Sequence, residues 1–186
     1  MPISWARALL GAVADDFQAF TYLGGTSVFN PKQVAIVGGQ FGSKDLERVA
    51  NNAPGALISM QGMTKAAVDT TVTADLVCVL ASKGAAGNRR ALQIVDMVSL
   101  VMSKLAFGWV PGSLDCVGAA VDAQAENLYT PELDTKGVAL WAVAWKQDVD
   151  LIQIADLNLD DFLSYYADYA GYEYEQSHVV LDGAGL

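Results

Sequence analysis

The chain has 186 residues, 53% of them hydrophobic, one histidine and a formal net charge of −10, a size at which a single domain can bury a core without disulfide or metal staples. Its two cysteines, Cys78 and Cys116, lie in apolar strand-like runs with no CxxC pair and no Cys/His cluster, which argues against a disulfide framework or a zinc site and predicts buried, reduced thiols of a cytoplasmic protein. The longest apolar stretch, Ala91 to Phe107, is interrupted by Gln93, Asp96, Ser99, Ser103 and Lys104, so it falls short of the roughly 18 apolar residues of a membrane-crossing helix and the expectation is a soluble protein with no membrane partner.

From Ser4 to Phe20 the residues Trp5, Leu9, Ala12, Val13, Phe17 and Phe20 recur at helical spacing, which predicts an amphipathic first helix. Gly24, Gly25, Asn30 and Pro31 punctuate a loop before a short strand at Val34–Val37, and the polar, glycine-rich stretch from Gly38 to Arg48 reads as a long, mobile excursion. The Ala53-Pro54-Gly55 turn leads into a strand at Ala56–Gln61. Thr70–Ser82 reads as a longer strand that pairs with it as a hairpin. Asn88 is placed to cap a long helix running to about Phe107, with Leu92, Val95, Val98, Met102 and Leu105 expected on its buried side. After the Pro111-Gly112 turn, Leu114–Ala123 reads as a strand and Gln124–Thr135 as an acidic connection.

The stretch from Asp134 to Trp145, DTKGVALWAVAW, then opens from a charged turn into about nine residues that are apolar on both faces. Such a strand needs cover on both sides, from helices or from a second copy of the protein. These elements make an α+β fold, a largely antiparallel or mixed sheet packed by two main helices in two layers, with one sheet face short of cover.

Charge divides the chain at residue 155. Up to that point there are 14 acidic and 11 basic residues; after it there are 7 acidic residues and no lysine or arginine. The expected organisation is therefore a domain over 1–155 and an acidic extension over 156–186. The extension carries Leu157, Leu159, Phe162 and Leu163, then Tyr165, Tyr166, Tyr169, Tyr172 and Tyr174. A short helix is expected at Asp160–Tyr169, and this apolar content predicts docking on a neighbour, since solvated tails lack residues able to bury. The near-neutral body lacks the basic footprint that nucleic-acid binding draws on; it suits surrounding DNA without gripping it.

No residue set announces a reaction, so no catalytic residue, cofactor site or metal site is assigned. His178 lies in the last ten residues, where a triad would have to be built on a chain terminus. Gly38, Gly39 and Gly42 precede Lys44, but Ser43 separates the last glycine from the lysine and breaks the phosphate-loop order. Asp15/Asp16 and Asp160/Asp161 are neighbours in sequence, and adjacent helical residues point about 100° apart, away from a shared acid–base site. Arg89 and Arg90 sit in the first turn of the long helix, where the macrodipole prefers acids; they read either as a solvated pair or as contacts to an outside partner. Trp141 and Trp145 share one strand face and read as core or as an interface, as do Trp5 and Trp109.

The amphipathic first helix, the Asn52-Ala53-Pro54-Gly55-Ala56 turn, the GNRRA start of the long helix and the DTKGVALWAVAW strand together resemble the tail terminator (tail completion) proteins of Mu-like phages and prophages, over roughly residues 3–150. The resemblance implies α+β subunits that close into a ring, six-membered in similar long-tailed phages, on the end of the tail tube. Such a ring stops tube polymerisation, meets the head connector on its other face and leaves a channel through which DNA passes without specific binding. The implied location is the virion tail at the head–tail junction, after assembly in the host cytoplasm, and the implied partners are further copies of the chain, the tail tube protein and the head–tail connector protein. On this reading the interface candidates are Phe41, Lys44 and Arg48 in the 38–48 stretch, Arg89 and Arg90, Trp141 and Trp145, and Tyr165, Tyr166 and Tyr169. The extension lies outside the resemblance and is expected to wrap an adjacent subunit or bind the connector. A second reading is a small acidic ligand-binding or regulatory domain, dimeric through its sheet with the aromatic extension as a lid; a third is a hydrolase working through carboxylates, which would need a pocket of converging acids.

Overall fold

The computed structural model describes residues 5–151 apart from 23, 30, 67–69, 85–87, 113, 129–134 and 136. Its elements run α1 (Trp5–Gln18), a 3-10 turn (Pro31–Gln33), β1 (Val34–Ile36), α2 (Ser43–Asn51), β2 (Gly55–Lys65), β3 (Thr71–Lys83), α3 (Asn88–Ala106), β4 (Val121–Asn127) and β5 (Val138–Asp150). The five strands form one mixed sheet in the order β1-β2-β3-β5-β4. β1 is parallel to β2, and the other pairings are antiparallel. The fold is α+β.

β2 and β3 form the expected hairpin, from Gly55↔Ala81 to Lys65↔Val72 with a bulge between Met60 and Gly62. Gly55 is required at the start of β2, because a Cβ there would lie 2.9 Å from the Gln33 carbonyl oxygen; the 3-10 turn and the strand meet backbone to backbone. β3 and β5 pair over their full length, Thr71↔Asp150 to Lys83↔Val138. β5 thus runs five residues past the expected end at Trp145. Its later half is read less easily because exposed Lys146 and Asp148 alternate with buried Gln147 and Val149.

α1 and α3 lie on one face, α1 over β1 and β2, α3 over β3, β5 and β4. α1 buries Leu9, Leu10, Ala12, Val13, Ala14 and Phe17, matching its predicted stripe. Between the helices and the sheet sits an aromatic cluster. The Phe17 ring stacks on Phe20 at 4.9 Å, on Phe29 at 5.9 Å and on Trp145 at 6.3 Å, and Trp109 meets Trp145 edge-on at 6.2 Å. Rings at these separations add to the free energy of area burial.

Three expectations are corrected. The 38–48 stretch is not a free excursion: the Gly39 carbonyl accepts hydrogen bonds from Ser59 Oγ and from Gln61 Nε2, the latter at 2.9 Å, and Ser43 starts a third helix. Glycine at 42 has no side chain with which to cap α2. Instead the Asp45 carboxylate accepts from the Gly42 N–H at 3.1 Å and closes the first turn. α2 places Val49 and Ala50 on the second face of the sheet, with Phe41 and Leu46 beside them, over Leu57, Val79, Ala81, Val138 and Leu140, so the expected two layers gain a third over half of that face. The strand expected at Leu114–Ala123 begins only at Val121 and runs to Asn127, inside the expected acidic connection. Finally, α3 buries Ile94, Met97, Val98, Val101 and Leu105; Val98 and Leu105 fit the predicted stripe, whereas Leu92 and Val95 are exposed.

Candidate interaction surfaces

The polar groups around Trp109 and Trp145 are hydrogen-bonded, whereas Gln33 Oε1 is buried without a hydrogen-bond partner among the described residues. Trp145, 2% exposed, donates through Nε1 to Gln147 Oε1 at 3.1 Å, and Gln147 Nε2 donates to the carbonyls of Gly118 at 3.1 Å and Trp109 at 3.3 Å. Asp16 Oδ2 accepts from Trp109 Nε1 at 3.0 Å and from the Gly112 N–H at 3.2 Å. Asp16 and Gln147 thereby pin the segment after α3 to α1 and to β5. Each buried donor spent in this way is structural, since leaving it unmade costs about 1–3 kcal/mol. Sequence reasoning missed Gln147, for a lone glutamine in an alternating strand carries no signal of burial.

The described titrating groups point the same way. Burial pushes the Cys78 thiol well above its ordinary range. The Cys116 thiol is raised by burial and then by the negative charges of Asp150 and Asp115, and Tyr22 is raised by burial and by Asp96. A thiol held neutral is a poor nucleophile. Among the described residues no group of three His, Cys, Asp or Glu side chains could hold a metal ion, and no helix is long and apolar enough to cross a membrane.

The interface candidates scatter. Phe41 is half-buried against the second core. Lys44 and Arg48 stand exposed on α2, Arg48 within 3.9 Å of Asp45. Arg90 is only 9% exposed, and its carbonyl accepts from the buried Ser82 Oγ at 3.1 Å; the reading of Arg90 as a solvated or outward-facing cation is corrected, because its guanidinium lies against Gly137. Arg89 belongs to the first turn of α3, and its side chain lies outside the described residues. Trp145 is core, and Trp141 is partly buried on the same face. Tyr165, Tyr166, Tyr169 and the 155/156 boundary lie outside the described residues.

Two surfaces remain open instead. On the second face, α2 covers the rows through Leu140 and Val79 only. The next row, Gln124, Ala144, Val77 and Ser59 in register across four strands, has Val77 and Ala144 half-buried with no described element above them. Beyond it the face turns polar, with Asp75 opposite Lys146 and Thr73 Oγ1 donating to Asp148 Oδ1 at 2.6 Å. The other surface is the flank of α3 away from α1, where Leu92 is 63% and Val95 45% exposed and Phe107, just past the helix, is 87% exposed. Both strands at the sheet edges, three-residue β1 and almost wholly exposed β4, have a free side among the described strands.

Comparison with known proteins found no matching family model and no matching curated protein.

Proposed function

We propose that this protein is a structural component of a Mu-like phage or prophage virion, whose copies close into a ring, six-membered as in similar long-tailed phages. The ring caps the tail tube, ends its polymerisation and joins it to the head connector, while DNA passes through the central channel. The observation that carries this reading is the pair Val77 and Ala144, half-buried on the second face with no described element above them. Half-buried aliphatic residues in the middle of a sheet call for a further layer, and α2 supplies it over only half the face. The two free sheet edges, β1 and β4, differ in length and composition, which suits unlike surfaces meeting head to tail. Such contacts build a ring when the rotation closes.

The experiment is native mass by light scattering over a concentration series, with and without purified tail tubes, followed by electron microscopy of the tubes. The expected mass is about six times the 19.7 kDa of one chain, and the expected image is a cap on one end of each tube. Ala144→Glu should lower the mass while leaving the far-ultraviolet circular dichroism unchanged. A dimer indifferent to tubes would overturn the ring and favour the ligand-binding domain.

A further inference from the structure

α3 is an amphipathic helix with two apolar flanks. Beside the buried residues, Leu92, Val95, Ser99, Met102 and Ala106 recur at alternating intervals of three and four, the spacing of a seam that receives a second helix at a shallow crossing angle. None of the five is charged. The flank that faces α1 is different: it carries Asp96, whose charge is felt at Tyr22, and Lys104, which stands 6.0 Å from the Phe20 ring centre. The seam therefore lies on the side away from α1, towards the β4 edge; Leu92, Val95, Ser99 and Ala106 are exposed there, while Met102 also packs partly against the main core.

We propose that residues 157–170 of the same chain form the helix that occupies this seam. Leu159, Phe162, Tyr166 and Tyr169 repeat the same three–four–three spacing, and Asp160, Asp161 and Asp168 fall off that line. Size is complementary as well, large aromatic side chains on one side against Ser99 and Ala106 on the other, which lets two helices approach closely. The covalent connection has the reach. α3 and β5 run in the same direction, and Trp109, just past the end of α3, packs on Trp145, so the chain leaves β5 at Leu151 beyond the C-terminal end of α3. Six extended residues span roughly 20 Å, enough to bring Leu157 to the Phe107 end of the seam for an antiparallel return. The acids of the extension, Asp168, Glu173 and Glu175, are then carried towards the end of α3 where Lys83 is exposed and Arg89 enters the helix. Attachment within one chain gives an effective concentration on the order of millimolar, which favours a chain's own seam over a neighbour's, in contrast to the neighbour expected from sequence. The inference does not depend on the ring.

Hydrogen exchange on the full chain tests it. Amides of 157–170 should exchange at least tenfold more slowly than in a synthetic 152–186 peptide. In Leu92→Asp/Val95→Asp they should return to the peptide's rates, while those of β3 and β5 stay slow and report an intact fold. Rates equal to the peptide's in the unmodified protein, or slow exchange that survives the double substitution, would overturn the proposal. As a second variant, Val95→Cys with Tyr169→Cys, which the antiparallel return places opposite each other, should form a disulfide within one chain on mild oxidation, with Cys78 and Cys116 protected by burial. A bond between chains would assign the seam to a second copy and overturn the assignment made here.

Discussion

On one face of the sheet Phe17, Trp109 and Trp145 pack together under two long helices; on the other, nine-residue α2 covers Leu57, Val79 and Leu140, and in the next row Val77 and Ala144 are only half-buried. The first face is closed by large rings whose polar atoms are all satisfied within the subunit. The second is closed by small aliphatics and grades through Val77 and Ala144 into Asp75, Lys146 and Asp148. A face finished with aromatic anchors is committed to its own subunit, whereas one that tapers from apolar to charged offers a surface a partner can meet, apolar at its centre and polar at its rim.

That contrast can be broken by substitution. Trp145→Ala, which removes a ring held by Phe17 and Trp109, should cost about 3–5 kcal/mol in denaturant unfolding; a loss below about 1 kcal/mol would mean the aromatic cluster is not the main core. Leu140→Ala, under α2, should cost about 2–4 kcal/mol, nearer the lower end because the short helix can settle into the cavity. Asp16→Ala removes a charged acceptor for two donors and should cost about 1.5–3 kcal/mol, with Asp16→Asn recovering part of it.

Cys78 sharpens the comparison through pH. Its folded-state value lies above the ordinary 9.0, so the stabilisation is fully present below pH 9 and is lost as pH rises from there through the folded value. The slope for this one group approaches about 1.4 kcal/mol per pH unit. Urea midpoints between pH 8 and pH 10.5 should fall less steeply in Cys78→Ala than in the unmodified protein, and parallel curves would remove the assignment. The smallest effect is expected at Arg48→Ala on α2, below about 0.5 kcal/mol, since its 3.9 Å pair with Asp45 is solvent-exposed.

Legibility from sequence followed burial. α1 and the first half of β5 were readable because one-sided and two-sided burial each leave a period in the apolar residues. β4 was not, because six of its seven residues are exposed and an edge strand wet on both faces carries no such period. α2 hid behind the glycines at 38, 39 and 42, although Leu46, Val49 and Ala50 hold helical spacing. In α3 two apolar stripes overlap, and the predicted stripe mixed residues of both. Of the candidate surfaces, the half-bare sheet face was foreseen from the two-sided apolar strand; the seam on α3 was not, since periodicity alone does not tell which of two stripes faces the sheet.

The thirteen-residue ladder between β3 and β5 has a consequence for how the molecule is made. β3 is the middle strand, yet the partner on one of its sides is the last strand in the sheet's sequence, starting 55 residues after β3 ends. During synthesis the hairpin of β2 and β3 emerges with a full-length open edge that includes Leu76, Cys78 and Leu80, and nothing upstream closes it. Pairing so distant in sequence is slow and leaves the edge available to wrong partners meanwhile. The nascent chain is thus most vulnerable to misassembly between the appearance of Lys83 and the arrival of Asp150, so slowing translation between these two points should lower soluble yield more than slowing it before β3.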